Sequence, residues 1–204
     1  LITSSDSEAL GIYVLNGATG TNAGNITLTG QKSSGVYNKG TFTMTGGTVE
    51  VNSISGAGIY ADAGSTTSIN SGTIKVGKGA IALYANNSTI NVAGGTNFDI
   101  SGDTDGKSIF AYNYNNLGVM TTGKVNLTGA TNTTVNINSG GIGFYVKGMT
   151  LNTYIDNLIS NSGTGKLEIV MNNSNSNLYV LDNPGSVTQL STISSLVPGT
   201  TLGT

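Results

Sequence analysis

The chain has 204 residues, 31 of them glycine, and only 9% are charged, against about 25% in an ordinary soluble domain. The net charge is −2 and all eight cations are lysine, so there is no basic footprint and none of the arginines that read bases, which excludes nucleic acid as an expected partner. The absence of cysteine removes a disulfide framework and a thiolate metal site, and histidine and tryptophan are absent as well.

The opening stretch "LITSSDSEALGIYV" has no charged n-region, apolar h-region or cleavage site. No later run approaches the ~18 apolar residues of a membrane helix. The chain reads as a segment of something longer, because both ends lie in repetitive texture.

In chain order, Gly11-Ile12-Tyr13-Val14 opens the pattern and Ile26/Leu28 closes a first unit. A second holds Gly35-Val36-Tyr37-Asn38, then Phe42/Met44, then Val49/Val51; a third holds Gly58-Ile59-Tyr60-Ala61, Ile69 and Ile74/Val76. The fourth is Ala82-Leu83-Tyr84-Ala85, Ile90/Val92 and Phe98/Ile100, and the fifth Ser108-Ile109-Phe110-Ala111, Val125/Leu127 and Val135/Ile137. Gly143-Phe144-Tyr145-Val146, Met149/Leu151 and Leu167/Ile169/Met171 make a sixth, and Asn177-Leu178-Tyr179-Val180 begins another. These runs have the two-residue period of strands, and Gly-, Asn- and Asp-rich turns separate them. The anchoring aromatics Tyr13, Tyr37, Tyr60, Tyr84, Phe110, Tyr145 and Tyr179 are 24, 23, 24, 26, 35 and 34 residues apart by subtraction. Such a period marks a solenoid, in which one repeat cannot bury its apolar face alone.

The expected fold is therefore all-β, a single-stranded parallel β-helix with about 24 residues and three short strands per coil. General chirality makes it right-handed. A β-propeller would need four antiparallel strands and about 40 residues per blade. Residues 1–182 form the solenoid, with enlarged loops near 111–124 and 152–166. Residues 183–204 form a terminal cap or connector. There Val187, Leu190, Ile193 and Val197 predict a short helix over 187–197, with Ser186 and Gln189 at capping-box separation and Pro198 as a stop.

Two outward columns follow from the alternation. If Val49/Val51, Ile74/Val76 and Phe98/Ile100 point inward, Glu50, Lys75 and Asp99 form a charge-alternating ladder continuing from Thr27. In the anchors, Ile12/Val14, Ile59/Ala61, Leu83/Ala85, Phe144/Val146 and Leu178/Val180 share the inner parity. The aromatics then share the other parity with Lys39, Asp62, Asn86 and Lys147, which predicts an outward stripe of Tyr13, Tyr37, Tyr60, Tyr84, Phe110, Tyr145 and Tyr179. Stacked tyrosine stabilises a sheet in its own right; the same rings offer contact area to a sugar or a partner protein.

Catalysis is not expected. The carboxylates are mostly scattered, and the usual histidine base and arginine are missing. The densest acidic group, "DISGDTDGKS", has Asp103, Asp105 and Gly106 in the manner of a calcium loop, but Ser101 stands at the first ligand position and Tyr112 where the bidentate glutamate belongs. It reads as an Asp-Gly turn, so no metal or cofactor is expected. Thr-x-Thr pairs at Thr27 and Thr41 resemble ice-binding arrays, but Glu50, Lys75 and Asp99 interrupt them.

The texture of "GTFTMTGGTVEVNS", "GAGIYADAG", "TTSINSGTIKVGKGAIALYANNSTINV" and "GIGFYVKG" resembles the passenger repeats of type V autotransporters, most of all the large fusobacterial adhesins, over roughly residues 9 to 182. The resemblance implies an extracellular β-helix anchored to the bacterial outer membrane by a translocator barrel. Its partner would be a host-cell or bacterial surface protein or glycan. It carries over no catalytic motif. Three functions are weighed: adhesive surface module, passive stalk presenting a distal tip, and polysaccharide-degrading enzyme, with the first favoured by the two enlarged loops.

Overall fold

The computed structural model describes residues 1–104, 106–115, 117–182 and 193–196. It is a parallel β-helix: three strands per coil, each pairing in parallel with its counterpart in the next coil, build three sheets. Sheet 1 takes the anchor runs (seven strands), sheet 2 the second runs (six) and sheet 3 the third runs (eight). The register is regular: Val49, Ile74, Phe98, Val135 and Ile169 stand in one column of sheet 3, and Phe42, Thr67, Ile90, Val125 and Ile159 in one column of sheet 2. Nearly all of these inward side chains are apolar, and all are buried, forming one continuous core.

Tight turns between the sheets require left-handed backbone at a few points, supplied by glycine, as at Gly47 (φ +75°), and by residues such as Asn87 (φ +48°). Inward asparagines hold two corners. Asn38 donates to Thr66 O and Thr67 Oγ1, both at 2.9 Å, and Asn113 donates to Gly123 O at 2.9 Å.

Sheet 1 departs from simple alternation. The anchor glycine and the aliphatic residue after it both face the core. A methyl group on Gly58 would lie 2.8 Å from Ile74 Cγ2 and 2.7 Å from Ala82 O. Register places Gly35, Gly58, Ala82, Phe110, Gly143 and Leu178 in this first inward slot, and Val36, Ile59, Leu83, Ala111, Phe144 and Tyr179 in the second. The occupants compensate in size: glycine precedes valine, isoleucine or phenylalanine, whereas phenylalanine precedes alanine. Two expected stripe members are corrected here. Phe110 is fully buried, edge-on to Phe98 (5.0 Å) and Phe144 (6.1 Å), and Tyr179, 5% exposed, occupies the slot of Phe144. Correspondingly, Leu178 fills the glycine slot, and half-buried Val180 takes the position of Tyr145.

The second insertion contains a helix, α1 (Leu151–Leu158). Leu151, Tyr154, Ile155 and Leu158 recur at i, i+3, i+4 and i+7 and are buried. Thr150 caps it, its hydroxyl accepting from the Thr153 N–H at 3.2 Å. The second-run strand of this coil is therefore Ile159–Asn161, paired with Val125–Leu127, and not Met149/Leu151. Within the predicted terminal helix, Ile193–Leu196 instead forms a strand parallel to Leu167–Met171, where it satisfies backbone groups that the edge of sheet 3 would leave open. The rest of that predicted helix lies outside the described residues.

The size exchange in the two inward slots generates a stability test. Phe110→Ala places two alanines side by side in one coil and opens a cavity, costing about 3–5 kcal/mol. At roughly 2–4 °C per kcal/mol for a chain of this size, thermal unfolding should fall by about 10 °C, whereas Tyr13→Ala, at a 47% exposed ring, should shift it by only a few degrees.

Candidate functional site

The outward column of sheet 1 is a tyrosine ladder. Register aligns Tyr13, Tyr37, Tyr60, Tyr84 and Tyr112, and the ring centroids follow at 5.4, 4.6, 4.7 and 5.6 Å. Tyr37 and Tyr60 stack at 17°, while the other neighbouring pairs meet edge to face. Tyr145, half-buried, continues the face. Five of the expected rings are thus brought together, Phe110 and Tyr179 are not, and Tyr112 belongs where Phe110 was expected. The step from Tyr84 to Tyr112 is 28 residues rather than 26. Ala111-Tyr112 departs from the other anchors, in which Ile12, Val36, Ile59, Leu83 and Phe144 precede tyrosine, so the pairing of Tyr84 with Tyr112 across coils is what reveals it.

Three hydroxyls of the ladder are tied into the protein. Tyr37 donates to Asp62 Oδ2 at 3.2 Å, Tyr60 accepts from Asn86 Nδ2 at 3.3 Å, and Tyr84 donates to the Tyr114 carbonyl. Asp62 also accepts from Asn86 at 3.0 Å and pairs with Lys39 at 3.7 Å, whose ammonium lies 5.7 Å from the centre of the Tyr37 ring. The charges thus gather at one rim of the stripe. Burial, and then the Asp62 charge, push the Tyr37 phenol far above its ordinary value; burial chiefly pushes Tyr84 up to about 12.

Beside the rings runs a groove of about 480 Å³, whose outline sequence reasoning missed. Tyr37, Tyr60, Tyr84, Tyr112 and Tyr145 line it together with Ala57, Ile81 and Ile109, which precede the anchor slots, and with Ser34, Ser55, Gly56 and Gly79. The groove exists because these neighbours are shorter than the standing rings. Among the described residues lining it, none carries a charge at neutral pH.

The two enlarged loops pack on each other at the far end of the stripe. Tyr114, from the first, is buried and stacks on Tyr154 of α1 at 5.8 Å and 16°. Its hydroxyl donates to Lys147 O at 2.9 Å and accepts from the Lys147 N–H at 3.1 Å. Beyond Tyr114 the chain turns back through an antiparallel bridge to Met120. Asn115 Oδ1 accepts from the N–H groups of Leu117 (2.9 Å) and Val119 (3.0 Å), residues that are 81% and 58% exposed.

On sheet 3, Thr27, Glu50, Lys75, Asp99 and Asn136 do stand in one column. The carboxylates, however, take asparagine amides: Asp99 accepts from Asn136 at 2.9 Å and Glu50 from Asn52 at 3.0 Å. Around the acidic loop, Asp103 forms a turn, its N–H donating to Gly106 O at 3.0 Å and its Oδ1 accepting from the Gly106 N–H at 3.3 Å; Asp105 lies outside the described residues. Asp103 and Lys107 face a second, polar groove of about 750 Å³ with Ser139 and Asn175. Among the described residues no group of three acidic, histidine or cysteine side chains is placed to hold a metal ion.

A phenol whose pKa is raised on folding stabilises the fold fully below its unfolded value near 10, and that contribution is lost as pH rises through the folded value. Alkaline titration followed by tyrosinate absorbance should therefore show Tyr84 ionising near pH 12. Stability to denaturant should decline between about pH 10 and 12, and Tyr84→Phe should remove part of that decline.

No family model, no curated protein and no solved structure matches this chain.

Proposed function

We propose that this chain is a non-catalytic, surface-exposed segment of a bacterial adhesin of the autotransporter type, which attaches through its tyrosine face to a host-cell or bacterial surface molecule. The observation that carries the reading is the uncharged groove bordered by the tyrosine ladder. Aromatic side chains supply large contact area at low conformational cost, and the Tyr37 and Tyr84 rings are already fixed by hydrogen bonds through their hydroxyls. The rod scaffold repeats the contact along its length, so a ligand engages several coils at once. Placement outside the cell, with a barrel translocator in the outer membrane, belongs to the same proposal and rests on the resemblance of the repeats.

A second reading, a passive stalk presenting a distal tip, is favoured by the regular register of the early coils. The two readings separate in an attachment assay with the purified chain on host cells and partner bacteria. The adhesive reading expects saturable attachment that drops about tenfold or more in a Tyr37→Ser/Tyr60→Ser variant whose circular dichroism is unchanged. A stalk gives no saturable attachment, and attachment untouched by the variant would place the adhesive surface elsewhere.

A further inference from the structure

We infer that the groove beside the tyrosine ladder takes a proline-rich segment of a partner protein in the polyproline II conformation. The inference rests on the adhesive reading and names the class of its ligand.

Three observations carry it. The first is neutrality: a groove whose described lining residues have no ionised side chain favours an uncharged ligand, since a charge placed there would lose water without gaining a partner. The second is that three hydroxyls of the ladder are already engaged within the protein, leaving the short side chains of Ser34 and Ser55 as small polar groups along the groove. Tyr37 and Tyr84 spend their protons on Asp62 and the Tyr114 carbonyl, and the Tyr60 oxygen is engaged by Asn86. What the ladder presents is ring carbon, with the small or aliphatic Ala57, Ile81 and Ile109 beside it. A glycan brings several hydroxyls per sugar, and each one desolvated without a partner costs about 1–3 kcal/mol. Proline carries no N–H, and a polyproline II backbone stays hydrated on its open side and arrives already ordered.

The third observation is spacing. The ladder advances one coil, ~4.8 Å, per tyrosine, and two coils therefore advance about 9.6 Å. A polyproline II helix rises ~3.1 Å per residue with three residues per turn, so the residue returning to the groove does so about every 9.3 Å. Every third ligand residue then meets an equivalent slot on every second coil, and the mismatch reaches only about 0.6 Å over two turns. From Tyr37 to Tyr145, four coil steps or about 19 Å, the groove accommodates roughly six residues. An extended β-strand ligand at ~3.3 Å per residue would instead have to leave its N–H and carbonyl groups unpaired against the ring wall.

Isothermal titration of the whole chain with a ten-residue proline-rich peptide tests this, with a Gly/Ser peptide of equal length and neutral linear oligosaccharides as comparators. The proline-rich peptide should bind saturably and at least about tenfold more tightly than the Gly/Ser peptide. Tyr60→Phe, which keeps the ring, should stay within about twofold, whereas Tyr60→Ser and Ile81→Lys, each checked for intact circular dichroism, should weaken binding about tenfold or more. No binding to the folded chain, or binding indifferent to both Tyr60→Ser and Ile81→Lys, overturns the proposal. Oligosaccharide binding that Tyr60→Ser abolishes also overturns it and makes the groove a glycan site. Cell attachment measured in parallel distinguishes the layers: attachment of the unsubstituted chain without peptide binding removes only the polyproline ligand, and no saturable attachment of the unsubstituted chain removes the adhesive reading itself.

Discussion

Parallel backbone pairing from coil to coil is the constraint on which the rest depends. Once Val49 pairs with Ile74 and Ile74 with Phe98, every residue of a coil has its counterpart about 4.8 Å away along the rod. Each position thereby becomes a column, and chemistry tolerable once must be tolerable repeatedly. Apolar side chains satisfy this inside. Outside, amide ladders do: Asn126 donates to Asn91 Oδ1 at 3.0 Å, and Asn172 to Asn138 Oδ1 at 3.1 Å. Asparagine is at once donor and acceptor, so it extends a column without the repulsion that like charges would build up. The low charge content of the chain follows from its architecture.

The same constraint governs how the core varies. Sheet 1 turns two adjacent residues inward, so the volume they share can be divided between them in different ways. Gly58 with Ile59, Ala82 with Leu83, Phe110 with Ala111 and Gly143 with Phe144 are alternative divisions. The close approach of the glycine slot to the next backbone, 2.5 Å from a Gly143 methyl to Leu178 O, explains why glycine is frequent there. Where a larger residue enters, its neighbour shrinks or the local packing differs.

This exchange marks the limit of what the sequence made legible. The two-residue period and the recurrence near 24 residues sufficed for the fold, for sheet 3 from Ile26 to Met171, and for the stripe as far as Tyr84, because there alternation and repeat length agree. They disagree at Phe110, where parity counted from a single anchor assumes strict alternation and the structure has a pair of inward residues. Tyr112, the true ladder member, stands two residues later, and only the cross-coil register identifies it. Helix α1 was legible in principle from Leu151, Tyr154, Ile155 and Leu158, but Met149 and Leu151 also satisfy the strand period, and a short apolar run fits both periods. The groove could not be read at all, since it arises from differences in side-chain height between adjacent columns.

The insertions give the face its final property, which is rigidity. A loop placed beside a binding surface ordinarily costs ordering entropy when a ligand arrives. Here Tyr114 is clamped between the Lys147 backbone and the Tyr154 ring, and its carbonyl receives the Tyr84 hydroxyl. Tyr84 is therefore held from both sides, by Tyr60 along the ladder and by the insertion beyond it. At the other rim Asp62 fixes Tyr37 while Asn86 joins Asp62 to Tyr60. Tyr37, Tyr60 and Tyr84 thus have their torsions already restrained, so a partner of the kind proposed above would spend less of its interaction energy on ordering them. The polar network that engages the hydroxyls of Tyr37, Tyr60 and Tyr84 is the same network that stiffens the wall of the groove.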